Sequence, residues 1–393
     1  MDPLSEQLAP AIPVDARLTE IERGLNLLLN VTPVNAAEAW ADFERSGFAT
    51  EPTLRLRPLD FDPDLVRRDL FDLEVEKVSD PALAALFRAK RDEIARRITL
   101  LEDRDTSRFR YGSLQLFGEI GDELASSAQD LLDLIPVQKP AATSAVTAGA
   151  FADAAREELE RYRASYPDFP IRMEVRDDVP ELMVSNGCLL IPETAAIRAD
   201  RVEALLHHEI GTHVVTYQNG AKQPLKLLAI GLPGYDETQE GLAVLAEYVT
   251  GGLDPRRLRV LAARVIAVSR MVDGADFLDV FGELRDRYGF AARTAWSIAI
   301  RVIVGGGATK DIIYLRGITR ILAFMAEGRD LDLLLLGKLS LDHLPLIEDL
   351  MERGVLHPAW IRPRWLDVPG ASARLDRLRA GMTVTDLFER STV

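Results

Sequence analysis

Three of the five histidines of this chain fall within seven residues, in His207-His208-Glu209-Ile210-Gly211-Thr212-His213. A carboxylate, Glu209, sits inside the run, and Glu240 follows in Gln239-Glu240-Gly241-Leu242-Ala243. Imidazoles and carboxylates gathered in this way suit a divalent metal with a base beside it to activate water. From His208 to His213 the run reads HExxxH, one residue longer than the HExxH of zinc proteases. On a regular helix, residues five apart point about 140° apart and cannot share an ion. A one-residue π-bulge brings them together. Gly211 is a weak helix former, and the Thr212 hydroxyl can bond back to a preceding carbonyl. The spacing therefore predicts a widened turn over Ile210 to His213; a regular helix there would count against a shared metal.

With the bulge in place, His208 and His213 are expected to bind one zinc ion through neutral imidazoles, with Glu240 from the next helix as third ligand. Water takes the fourth position, its pKa lowered toward about 7. Glu209 is then the general base that carries the water proton to the leaving amine. Glu247, seven residues after Glu240, either orients a histidine from behind or lies on a solvated face. His207 faces away from the pair and is assigned a structural or supporting place. His343 and His357 are isolated and read as surface or packing residues. The bland alternative is an exposed helix that merely happens to carry His and Glu.

The elements that must hold these groups are mostly helical. Ala16 to Asn30, Pro63 to Leu73, Pro81 to Glu102, Glu119 to Leu134 and Ala150 to Tyr166 show helical apolar spacing. Ile171 to Val175 alternates like a strand. Leu182 to Ser185 and Cys188 to Ile191 flank Asn186-Gly187, a strong hairpin signal. Asp200-x-x-Glu203 and Asp236-x-x-Gln239 read as caps for the cluster helix and the Glu240 helix, the first ending before Asn219-Gly220. The expected fold is α+β: predominantly helical, with a small antiparallel sheet next to the zinc-binding helix, a zincin-like arrangement. Residues 1–14 read as a tail, 15–135 as a helical region packing on the core, 136–149 as a linker or surface loop, and 150–393 as the catalytic region. Residues 15–393 are also compatible with one domain.

A formal charge of −15 and a pI near 5.0 argue against nucleic acid or an anionic membrane as partner. The single cysteine, Cys188, excludes an intramolecular disulfide and a multi-cysteine metal site, and a cytoplasmic location is expected. No uncharged apolar run reaches the roughly 18 residues of a membrane span. Gly305 to Gly307 lacks the Lys-Ser/Thr of a phosphate loop and reads as a turn.

The run from His208 to His213, with Asn219-Gly220, Gln223-Pro224, Gln239-Glu240-Gly241-Leu242-Ala243, Thr309-Lys310-Asp311, Tyr314-Leu315-Arg316-Gly317 and Leu336-Gly337-Lys338, resembles the microtubule-associated tyrosine carboxypeptidase family. The likeness is nearer to the family's bacterial relatives with the QEGLA motif. It implies a zinc metallopeptidase with ligands His208, His213 and Glu240 and catalytic Glu209. The family's animal members remove a C-terminal tyrosine from tubulin; the residues quoted carry the peptidase centre and not that substrate.

A carboxypeptidase must hold a terminal carboxylate, for which Arg301, Lys310, Tyr314 and Arg316 are the candidates. Each is balanced by an ordinary salt-bridged helix as the plainer reading. By analogy with zinc peptidases, Cys188 to Ile191 is expected to be an edge strand that pairs with extended substrate. The function expected is zinc-dependent cleavage near a peptide or protein C-terminus. The alternatives are metal-dependent amide hydrolysis of a small substrate, and a regulatory or binding protein with a structural or vestigial metal site.

Overall fold

In the computed structural model, residues 8–104, 106–138, 144–179, 181–303 and 308–390 are described. The Gly305–Gly307 turn, the first half of the tail and the middle of the 136–149 segment lie outside them. The chain is predominantly helical with small sheets, as expected. Pro81–Glu102 forms with the expected bounds, because Asp80 accepts from the amides of Ala82 and Leu83 and Pro81 fills the first turn. The helix expected over 16–30 is instead two, Ala11–Leu25 and Leu27–Val31. They break at Asn26, whose φ of 44° is left-handed, a conformation Asn tolerates better than most residues. The Asn30 amide then donates to the Leu25 carbonyl, which the break leaves free.

Among the described residues, five short strands form two sheets. β1 (Ala145–Thr147) pairs with β5 (Ala196–Arg198). β2 (Met173–Arg176), β3 (Met183–Ser185) and β4 (Cys188–Pro192) form a second sheet in the order β2-β4-β3. The β3–β4 hairpin turns at Asn186 and Gly187, both with positive φ. The second sheet is mixed rather than purely antiparallel, because β2 joins β4 in parallel.

The cluster helix lies between two cores. A large one runs from Leu8 to Leu387 and unites the N-terminal helices with the C-terminal ones. A smaller one lies under the sheet, where Leu206, Ile210 and Val214 pack with Phe151, Leu189 and Ile191. The Glu240 helix, Tyr235–Val249, packs on Ile313–Ala326. A Cβ on Gly241 would sit 2.4 Å from the Gly317 carbonyl carbon, so glycine at 241 is what lets the helices meet. No helix among the described residues is long and apolar enough to cross a membrane.

Candidate metal centre and its pocket

The helix that begins at Val202 changes hand-count at the cluster: Val202–His208 is α-helical, Glu209–Val214 is π-helical, and Val215–Lys222 is α-helical again. The widened turn falls where the spacing required it. Side chains serve the carbonyls that such a turn loosens. The Thr212 hydroxyl donates to the His207 carbonyl at 3.2 Å, and the Trp365 indole N–H to that of Gly211 at 3.1 Å. The Thr216 hydroxyl lies 2.8 Å from the Thr212 carbonyl and 2.6 Å from Gln239 Oε1, beside Glu240.

The capping expectations need correction. Asp200 lies in a 3₁₀ turn (Ala199–Arg201) ahead of the cluster helix, and its carboxylate is taken by Arg198. Gly234, with φ 68°, stands at the N-cap of the Glu240 helix. Asp236 sits inside that helix and pairs with Arg97 at 3.0 Å and Lys310 at 3.4 Å. Asn219-Gly220 does not end the cluster helix either. Asn219 donates to the carbonyls of Leu335 and Ile361, and a Cβ on Gly220 would sit 2.1 Å from the Leu228 carbonyl oxygen.

The π turn brings the two imidazoles to 5.2 Å between ring centres. Their Nε2 atoms lie 3.6 Å (His208) and 3.7 Å (His213) from Glu240 Oε2, which is buried and has no hydrogen-bond partner among the described residues. Ligand atoms of His208, His213 and Glu240 all fall within 4.8 Å of one another. A tetrahedral ion with bonds of about 2.0–2.2 Å needs donors about 3.4 Å apart, close to these separations. Glu247 is fully buried, so its solvated-face reading is excluded. Its Oε1 lies 2.8 Å from His208 Nδ1, while Arg201 holds its other oxygen at 2.6 Å. This bond turns Nε2 of His208 toward the cluster. His207 is buried on the other side; burial lowers its pKa, partly countered by Glu158 and Glu203.

Imidazoles and carboxylates perturb one another strongly in this buried cluster. Burial alone would lower the pKa of His208, but the Glu240 carboxylate beside it, the bond to Glu247 and the Glu209 charge outweigh it and push it up to about 10. Burial would raise Glu240, yet His208 and His213 hold it well below the usual carboxylate range. Glu209 is only 6% exposed, which excludes the exposed-helix alternative, and burial raises its pKa despite His208 and His213. Its Oε1 lies 3.9 Å from His208 Nε2.

A cavity of about 620 Å³ opens onto His208, Glu209, His213 and Glu240. Among the described residues, seven Lys or Arg side chains line it against four carboxylates, the reverse of the chain's overall balance. Arg301, Lys310 and Tyr314 are among the lining residues. Asp311 grips Arg301 with both oxygens, and Glu181 holds it as well. Burial and the Glu240 charge raise the pKa of Tyr314, so its hydroxyl stays a donor. Arg316 is not brought to the cavity: its guanidinium binds Glu237 and the Phe117 carbonyl.

The edge-strand expectation is also corrected. β4 is the central strand, with β2 and β3 on its two sides, so it has no free edge for substrate. The strand at the cavity is β3, through Met183 and Val184. Sequence reasoning passed over Arg257, Arg264 and Lys338, all in the cavity lining. Only Lys338 carried a signal, as a scarce lysine in Leu336-Gly337-Lys338. Burial lowers its pKa to about 8 against the pull of Asp236, Glu240 and Glu209.

Residues 41–383 match the family model described as microtubule-associated tyrosine carboxypeptidase. A human relative, microtubule-associated tyrosine carboxypeptidase 1, is 34% identical over 191 residues, which is 44% of this chain and 38% of the relative. A mouse relative named "Putative tyrosine carboxypeptidase MATCAP2" is 31% identical over 185 residues, 43% of this chain and 34% of the relative. The aligned part thus spans little more than a third of either relative. The match covers every ligand candidate, whereas the cavity wall made by Leu28, Leu29, Thr32, Pro33 and Ala36 lies ahead of it. The chain belongs to the microtubule-associated tyrosine carboxypeptidase family.

Proposed function

We propose that this chain is a zinc-dependent carboxypeptidase that trims the C-terminus of a peptide or protein. The observation that carries the reading is the convergence of His208, His213 and Glu240 donor atoms beside Glu209, at the floor of a cavity. The donor set fits the ion: two imidazoles and one carboxylate are a common catalytic zinc set, and the buried, unpartnered Oε2 of Glu240 suits a cation better than solvent. His208, His213 and Glu240 would hold it. When bound, the ion supplies Lewis acidity, polarising a carbonyl and acidifying water.

The chain's own residues supply the rest. Burial raises the pKa of the Glu209 carboxyl, which favours a group that must take a proton from water at Oε1 or Oε2 and pass it to the leaving amine. Glu247 fixes the ring of His208. The Tyr314 hydroxyl, kept protonated, can donate to oxygen on the substrate. β3 offers its backbone to an extended peptide along one wall. The basic excess in the lining favours a substrate end that carries negative charge, as a C-terminus does.

A digest of a mixed peptide library, with metal analysis of wild type and Glu209→Gln, tests the reading. Zinc in both proteins with C-terminal trimming by wild type alone is the expected result. Equal trimming by the two would remove Glu209 as the base, and hydrolysis confined to small non-peptide amides would move the function to an amidohydrolase.

A further inference from the structure

We infer that Lys338 is the receptor for the substrate's terminal carboxylate, an assignment that rests on the carboxypeptidase reading above. Lys338 is 8% exposed and lines the same cavity as Glu209 and Glu240. Among the described residues its ammonium makes no hydrogen bond or ion pair, and its neighbours are the ring faces of Tyr217 at 5.9 Å and Tyr235 at 5.5 Å. Asp236, Glu240 and Glu209 act on it only from beyond contact distance, and a buried ammonium without a carboxylate in contact is costly, so a ligand that brings one is favoured.

The other cations proposed for this task are already engaged. Lys310 has Asp236 at 3.4 Å, Arg301 has Asp311 and Glu181, and Arg316 is outside the cavity. Lys338 is also held in place. Its N–H donates to the Leu228 carbonyl at 2.7 Å, and its carbonyl accepts from the Leu232 N–H at 2.9 Å. A Cβ at Gly337 would sit 2.7 Å from the Leu228 oxygen, so the preceding residue lies directly against that backbone. Fixed backbone, apolar ring walls and an unpaired charge are the parts of a preorganised carboxylate site. A fixed cation at one end and Glu209 at the other would set how far from the chain end the bond is cut.

The test compares peptides that differ only in a C-terminal acid or amide, with the zinc-loaded protein. Wild type should prefer the acid by about 10- to 100-fold in kcat/KM, as charged hydrogen bonds typically do. Lys338→Met, an apolar replacement of similar length, should remove the preference through KM while zinc content and kcat hold; Lys338→Arg should keep part of it. Calorimetric binding of the acid and the amide to Glu209→Gln, with and without Lys338→Met, reads the same preference without turnover. A preference that survives in Lys338→Met overturns the assignment and leaves the carboxypeptidase reading standing. Wild type that treats acid and amide alike overturns it without any variant. Wild type that cleaves neither removes the carboxypeptidase reading, and the assignment with it.

Discussion

Glu247→Gln separates the two jobs of one buried carboxylate. Oε1 of Glu247 lies 2.8 Å from His208 Nδ1 and Oε2 lies 2.6 Å from Arg201, so both oxygens accept. In the neutral imidazole that a metal ligand must be, that fixes the proton of His208 on Nδ1 and leaves Nε2 for the ion. A glutamine has the same shape, but one end accepts and the other donates. If its oxygen stays with Arg201, its NH₂ meets Nδ1, which must then accept; the proton moves to Nε2, the atom wanted as a ligand. If its oxygen stays with His208, two donors face each other at Arg201. Losing such an outer partner costs about 10- to 100-fold in metal affinity. Breaking a buried ion pair costs about 3–5 kcal/mol, but Arg201 keeps the Gly252 carbonyl and is 12% exposed, so about 1–3 kcal/mol is expected for the metal-free fold. The assay is zinc titration against a chromophoric chelator for both proteins, with denaturant melts in excess chelator. A zinc affinity equal to wild type would refute the tautomer reasoning, even where the melt has dropped.

Other outcomes follow from the packing and charge. Gly211→Ala would place a methyl 2.9 Å from Trp365 Cδ1 and should cost about 1–3 kcal/mol; an unchanged denaturation midpoint would mean that the π turn has spare room. Gly241→Ala meets the Gly317 backbone at 2.4 Å, which cannot swing aside, so its loss of stability should exceed that of Gly211→Ala in the same melt. Burial pushes the Asp311 carboxyl up, but Arg301 and Arg264 outweigh it and hold it at about 2. That folded value is depressed, so the stabilisation is full above about pH 4 and lost as pH falls through about 2; Asp311→Asn should remove roughly 2 kcal/mol of pH-dependence there, read from melts across that window. Arg316→Ala should lower the melting temperature and leave KM alone, since its partners are Glu237 and the Phe117 carbonyl; a raised KM with an unchanged melt would return it to the substrate side.

What was legible in the sequence was local. Asp80-Pro81 starts a helix because the cap and the ring act on the next three residues, and Asn186-Gly187 turns a hairpin because both residues accept positive φ. The ligand set could be read for the same reason: five residues of helix decide whether two histidines meet. What failed depended on partners far along the chain. Asp236 looks like a cap until Arg97, 139 residues away, and Lys310 claim its carboxylate. Asn219-Gly220 looks like a stop until Ile361 and Leu228 are packed against it. β4 was expected at an edge by analogy with zinc peptidases, and its parallel partner β2, joined to it by no hairpin, leaves no local mark that would have corrected this. Lys338 carries no mark beyond its scarcity, since its isolation arises only when Tyr217 and Tyr235 close around it.

The extra residue of the HExxxH run is therefore part of a wider fit. Shortening it to HExxH would align the two histidines on an ordinary α-helix, at about 100° per residue. Straightening the run into an α-helix at its present length would instead rotate everything after it by about that angle. Thr216 would swing away from Gln239, and the carbonyl that Trp365 now serves would turn from the indole. Gln239 adjoins Glu240, so the third donor would lose its tie to the turn that carries the first two. The π turn lets one helix present both histidines and still keep its face toward the Glu240 helix. Trp365, 154 residues on, is part of what holds it in that form.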